Sequence, residues 1–210
     1  MMKTKKRSST TSKHLNVVVL GQVGVGKSAF TVRLKTRRFI WEYSKIEDSY
    51  NHCIEHDGEN VSLTITDTSG LKSEKELEDY LGIGDLYIIM YSITDRSSFL
   101  ESRRLGNFLR ENNSGNFEMA LVGNKTDLEH ARQILESEGT SLSEELECKF
   151  YEISVAKNFF DVEFMMNDAV KGFTNQKSDC RSSKTSLLKV KENLARNKSF
   201  KSFKRRMSIS

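Results

Sequence analysis

The sequence predicts an α/β fold: a doubly wound, mostly parallel six-stranded sheet with one antiparallel strand. Three observations point there. Strand-like and helix-like hydrophobic patterns alternate from residue 15 to about residue 174, as in successive β–α units. The runs Leu86-Tyr87-Ile88-Ile89-Met90-Tyr91 and Met119-Ala120-Leu121-Val122 lack the polar alternation of a half-exposed strand, which marks central strands covered by helices on both faces. One pair of strand-like runs is split by Asp57-Gly58-Glu59, a turn signal that makes the pair an antiparallel hairpin.

Taken in order, the first strand is 15–20, Leu-Asn-Val-Val-Val-Leu, and it runs into a glycine-rich turn. Ala29, Phe30, Val32 and Leu34 then recur at helical spacing. The hairpin strands lie around 50–57 and 60–66, and further strands fall at 86–91, 118–123 and 149–154. Phe99, Leu105, Phe108 and Leu109 mark one helix; Val162, Met165, Met166, Ala169, Val170 and Phe173 mark the last. Those Phe and Met stripes read as core-facing faces, with no cofactor site in them.

Charge divides the chain into three. The formal net charge is +4, but residues 1–14 hold five Lys/Arg and no acid, and residues 176–210 hold eleven Lys/Arg against Asp179 and Glu192. Residues 15–175 hold 17 basic and 27 acidic residues. The expected organisation is a basic disordered arm at 1–14, one folded domain at 15–175 and a basic disordered tail at 176–210. Cys53, Cys148 and Cys180 are widely spaced and odd in number, which excludes a disulfide framework. The amino terminus lacks the apolar stretch of a secretory signal, and no run is long enough to span a bilayer. A cytoplasmic protein is expected, with the tail able to direct it to a membrane surface or to the nucleus.

The glycine-rich turn is Gly21-Gln22-Val23-Gly24-Val25-Gly26-Lys27-Ser28, followed by Ala29. A G-x-x-x-x-G-K-S run between a strand and a helix converges backbone N–H groups on one point, where the helix dipole favours an anion. Gly21, Val23, Gly24, Val25, Gly26, Lys27, Ser28 and Ala29 are therefore assigned to a nucleotide's phosphates. Lys27 can reach the β- and γ-phosphates, and the Ser28 hydroxyl can bind Mg2+.

Two later segments name the base. Asn124-Lys125-Thr126-Asp127 follows the strand 118–123 directly. An Asp127 carboxylate there can accept hydrogen bonds from the N1–H of guanine and from the 2-amino group that adenine lacks. Asn124 can bond N7, and the Lys125 stem can cover base and sugar. In Glu152-Ile153-Ser154-Val155-Ala156, a backbone N–H from Ser154, Val155 or Ala156 can meet the guanine O6. Asp67-Thr68-Ser69-Gly70 ends the strand 60–66; Asp67 would hold Mg2+ through water, and the Gly70 N–H would face the γ-phosphate.

These four motifs, in this order and spacing, resemble those of the Ras family of small GTPases over residues 15–174. Within the family, Arg37-Arg38-Phe39-Ile40, Ser92-Ile93-Thr94-Asp95 and the basic tail look most like Ras-like members 11 and 12 and the estrogen-regulated growth inhibitor branch. The resemblance implies a P-loop G domain acting as a monomer, with GTP/GDP and Mg2+ as cofactors. It implies GTP hydrolysis with Lys27 and Gly70 in catalytic roles, and Phe39 packed against guanine. It also makes 39–50 and 67–82 the switches that respond to the γ-phosphate.

Three departures bear on mechanism. Val23 stands where the family has its second P-loop glycine, and a side chain there crowds the attacking water and an incoming arginine finger. Leu71 stands where the family usually has the Gln that orients the water. Together they predict slow turnover. Switch I is one residue shorter than the Ras pattern and has Lys45 at the usual Mg2+-sensing Thr; protonated lysine cannot ligate a metal. Either Ser44 substitutes, or Lys45 pairs with a phosphate, or the switch does not close.

Glu47 and Asp48 keep an acidic edge for effector proteins. The tail interleaves Phe200, Phe203, Met207 and Ile209 with basic residues over 196–210, a pattern that fits an anionic membrane surface, calmodulin or nucleic acid, and equally a solvated tail or nuclear import signal. The chain ends in Arg-Arg-Met-Ser-Ile-Ser without a terminal Cys box, so no prenyl anchor is expected. Ser208 fits the pattern favoured by basophilic kinases. Two functions compete: a Ras-like GTP-binding signalling protein with weak hydrolysis, and a non-cycling GTP-bound scaffold acting through its acidic switch face and tail. A P-loop kinase or adenine nucleotidase is disfavoured by Asn124-Lys125-Thr126-Asp127.

Overall fold

A computed structural model describes residues 13–40, 49–56, 59–68 and 74–171. Ser44, Lys45, Glu47, Asp48, Gly70, Leu71, the Asp57-Gly58 turn, residues 1–12 of the first basic arm, the whole of the second, Cys180 and Ser208 lie outside the described residues; Lys13 and His14, expected in the disordered arm, instead begin the first strand.

Six strands form one sheet: β1 Lys13–Leu20, β2 Ser49–His56, β3 Glu59–Asp67, β4 Leu86–Ser92, β5 Glu118–Asn124 and β6 Lys149–Glu152. Their spatial order is β2-β3-β1-β4-β5-β6. Every neighbouring pair is parallel except β2 and β3, which run antiparallel with Tyr50 opposite Ile65 and Ile54 opposite Val61. All seven residues of β4 are buried, the result expected of an unbroken apolar strand at the centre of a covered sheet.

The helices are α1 Lys27–Thr36, α2 Glu74–Glu78, α3 Arg96–Asn112, α4 Glu136–Glu145 and α5 over 159–171. Asp95 caps α3, its carboxylate accepting from the Ser97 and Ser98 N–H groups at 3.0 and 3.4 Å. Phe99, Leu105 and Leu109 of α3 bury against β4 and β5 residues such as Tyr87, Tyr91 and Leu121. In α5, Val162, Met165, Met166, Ala169 and Val170 are all buried, so that Met stripe is core.

Two differences from the sequence reading concern the site. The last strand was expected to reach 154 but stops at Glu152; Ile153 still donates to the Gly123 carbonyl at 2.9 Å, and 155–157 then form a turn closed by Asn158 N–H on the Ser154 carbonyl at 3.2 Å. Ending the ladder there releases the following N–H groups from the sheet. The second difference is α4, which hydrophobic periodicity did not reveal. Its sequence, Glu-Ser-Glu-Gly-Thr-Ser-Leu-Ser-Glu-Glu, holds one large apolar residue, and its inward face is Gly139, Leu142 and Ser143. None of the described helices is long and apolar enough to cross a membrane.

Candidate nucleotide-binding site

In a doubly wound sheet, ligands bind outside the carboxyl ends of the strands. Here β1 ends at Leu20, β3 at Asp67, β5 at Asn124 and β6 at Glu152. The segments that follow these ends carry every assigned site residue except Phe39.

The loop after β1 closes tightly over Lys27. Its ammonium donates to the carbonyls of Gly21 at 2.8 Å and Gln22 at 3.1 Å. Only 5% of Lys27 is exposed, and this burial lowers its pKa, while the nearby Asp67 charge raises it in part. Gly26 caps α1 with φ 105°, and a Cβ built on it would run into the Asn124 amide. Only glycine combines that left-handed backbone with that approach. The Gly24 and Val25 backbone continues the cradle, Val25 being buried and Gly24 open. Val23 points outward and is 72% exposed. Ser28 and Ala29 are half-buried in the first turn of α1.

Beside the loop, Asp67 is buried at the end of β3. The next residue fixes its position: Thr68 donates to the Val19 carbonyl through both its hydroxyl, at 2.6 Å, and its N–H, at 3.3 Å. The sequence reading gave Thr68 no role. Gln22 was also unassigned; its side-chain oxygen accepts from the Ser97 hydroxyl at 3.2 Å, tying the loop to the start of α3.

Two sets of hydrogen bonds tie the segments after β5 and β6 together. Asn124 Nδ2 donates to the Val25 carbonyl at 2.8 Å, and its Oδ1 accepts from the Val155 N–H at 3.1 Å. One buried amide thus joins the phosphate loop to the turn after β6. The bond to Val25 uses one of the two Nδ2 hydrogens. Ser154 donates to the Asp127 carboxylate at 2.5 Å, and its own hydroxyl accepts from the Lys157 N–H at 3.0 Å. That bond occupies one side of Asp127. Lys125 adopts φ 70°, which turns the chain from β5 into a 3₁₀ helix at Thr126–Ala131. Val155 is buried and Ala156 half-buried. Phe39 lies half-buried just beyond the left-handed cap of α1 at Arg37.

Mg2+ takes oxygen ligands and is usually held by one or two protein oxygens beside phosphate and water. The Ser28 hydroxyl, in the first turn of α1, and the buried Asp67 carboxylate, at the end of β3, are donors of that kind. This donor set fits the ion.

The fold and this strand-end cluster define a P-loop α/β nucleotide-binding protein. Residues 16–175 match the Ras family. The chain is 37% identical to the human (Homo sapiens) "Ras-related and estrogen-regulated growth inhibitor" over 190 residues, covering 85% of this chain and 96% of that protein. It is 40% identical to the mouse (Mus musculus) "GTP-binding protein Rit1" over 152 residues, covering 71% and 69%. It is 35% identical to "Ras-like protein family member 12" of Danio rerio over 161 residues, covering 75% and 63%. The chain belongs to the Ras family.

Proposed function

We propose that this chain is a Ras-like protein that binds GTP and GDP with Mg2+ and hydrolyses GTP slowly, signalling through its switch segments. The observation that carries the reading is the Asn124 amide, which holds the Val25 and Val155 backbones at once and so couples a phosphate cradle to a base-reading turn. Asp127, steadied by Ser154, supplies the acceptor that separates guanine from adenine. A relative named as a GTP-binding protein is in accord with this.

In this reading the backbone around Gly24 and Gly26 binds the phosphates, Lys27 leaves its carbonyl partners for the β- and γ-phosphates, and Ser28 and Asp67 hold Mg2+. When bound, the ion offsets phosphate charge. Slow turnover follows from the exposed Val23 side chain and from Leu71, a residue without a hydrogen-bonding group at the water-orienting position. The same two residues favour the second reading, a scaffold that stays loaded and does not cycle. Effector proteins would meet the acidic edge at Glu47 and Asp48.

Competition of GTP and ATP for the purified protein, followed by single-turnover hydrolysis of bound GTP, tests the proposal. GTP preference with slow but measurable cleavage is expected. Tight GTP binding without cleavage would select the scaffold. Equal binding of ATP would overturn the guanine reading.

A further inference from the structure

The two base-reading segments are joined at a second place, outside the nucleotide motifs. Arg132 caps the 3₁₀ helix Thr126–Ala131, and its side chain is only 15% exposed. All five guanidinium N–H groups have a partner. Nε and Nη2 donate to the two carboxylate oxygens of Glu129 at 2.7 and 2.8 Å. Nη1 and Nη2 donate to the two oxygens of Glu152 at 2.8 Å each. The second Nη1 hydrogen goes to the Ile134 carbonyl at 2.8 Å.

The sequence positions of the partners matter. Glu129 is two residues past Asp127, and Glu152 is two residues before Ser154. The Asp127–Ser154 bond and the double fork of Arg132 therefore close one ring between the loops. Beneath the fork the packing is aromatic. A Cβ built on Gly123 would lie 2.8 Å from the Tyr91 hydroxyl and 3.3 Å from Glu152 Cγ, and Tyr91 is fully buried. Its hydroxyl has no hydrogen-bond partner among the described residues, while Arg132 engages both Glu152 oxygens. A low-dielectric floor strengthens the pair and makes its loss harder to compensate.

We propose that Arg132 is a positioning residue for base recognition: it locks the 124–127 loop to the 153–156 turn and so sets how long a guanine nucleotide stays bound and how strictly the base is read. The inference rests on the guanine-nucleotide reading above. A carboxylate that moves by a fraction of an ångström loses both affinity and the power to reject a base lacking one donor. Lysine cannot replace the fork, because a single ammonium cannot pair bidentately with two carboxylates.

The test uses the full chain with Arg132→Gln, Arg132→Lys, Glu152→Gln and Glu129→Gln. Release of fluorescent GDP and GTP is timed in magnesium buffer well below the unfolding temperature. GDP is also competed against inosine diphosphate, whose base lacks the 2-amino group. Arg132→Gln is expected to speed release about tenfold, equally for GDP and GTP, and to shrink the GDP preference over inosine diphosphate severalfold. Arg132→Lys is expected to recover only part of this, and Arg132→Gln with Glu152→Gln to fall short of additivity. If Arg132→Gln does not fold, Arg132→Lys and the exposed-side change Glu129→Gln give the graded series. Wild-type release and preference in these variants, even with lower melting temperatures, would overturn the lock. ADP is competed against GDP on the wild-type protein as a separate arm, and failure to distinguish the two would overturn the guanine reading itself.

Discussion

The two ends of the candidate site are built differently. At the base end, side chains bond to one another across loops: Asn124 to the phosphate loop and the turn after β6, Ser154 to Asp127, Arg132 to Glu129 and Glu152. Among the described residues, the phosphate end is chiefly main chain, with one lysine held by loop carbonyls and Val23 standing clear of the protein. In the proposed reading, base selectivity is embedded in contacts that also hold the loops together. Slow cleavage is attributed in that reading to Leu71 and to Val23, whose side chain is exposed. One function can be blunted while the other is retained.

The largest expected effect comes from breaking the base end. Asp127→Asn presents a donor where N1–H of guanine needs an acceptor and weakens the Ser154 bond, so GDP affinity should fall on the order of 10³-fold while affinity for xanthosine diphosphate rises. Equilibrium titration with both nucleotides checks this; an unchanged preference would contradict the assignment of Asp127.

Restoring the phosphate end comes next. Val23→Gly combined with Leu71→Gln should raise single-turnover GTP cleavage at least about tenfold, with GDP affinity changed little. A double variant as slow as the parent would place the block elsewhere.

Gly26→Ala should damage both ends together. It forces a side chain into a left-handed backbone and against Asn124, costing about 2 kcal/mol in a denaturant melt and weakening nucleotide binding. Gly24→Ala, also at positive φ but with open space around it, should lower stability less.

The smallest effect is a pH slope. Burial lowers the Lys27 pKa from 10.5, so between its folded and unfolded values the folded state binds fewer protons. Stability of the nucleotide-free protein from this group therefore rises as pH increases through that window. Bound phosphate raises the lysine pKa and should flatten the slope, which melts of empty and GDP-loaded protein will reveal.

The sequence made the strands and the phosphate loop readable because their signals are local: an apolar run, then glycines at fixed spacing. The assigned Asn124, Asp127 and Ser154 are likewise parts of short motifs. α4 was not readable, because its buried face substitutes Gly139 and Ser143 for large apolar residues; the neighbouring Phe150 ring and Tyr91 hydroxyl occupy the space a side chain on Gly139 would take. Arg132 was hidden for another reason. Its partners lie three residues before and twenty after it, and no periodicity connects them. Thr68 joins two strands by a bond across 49 positions, equally invisible to a linear pattern.

The wholly buried β4 has a consequence for the chain's survival in a cell. Leu-Tyr-Ile-Ile-Met-Tyr contains neither charge nor proline, the composition of segments that self-template into fibrils once uncovered. During synthesis, or whenever an empty protein opens, that stretch would be exposed as an aggregation hazard. A ligand that binds only the folded form would keep it sheathed by mass action, so under the proposed function the supply of nucleotide would act in effect as this protein's chaperone.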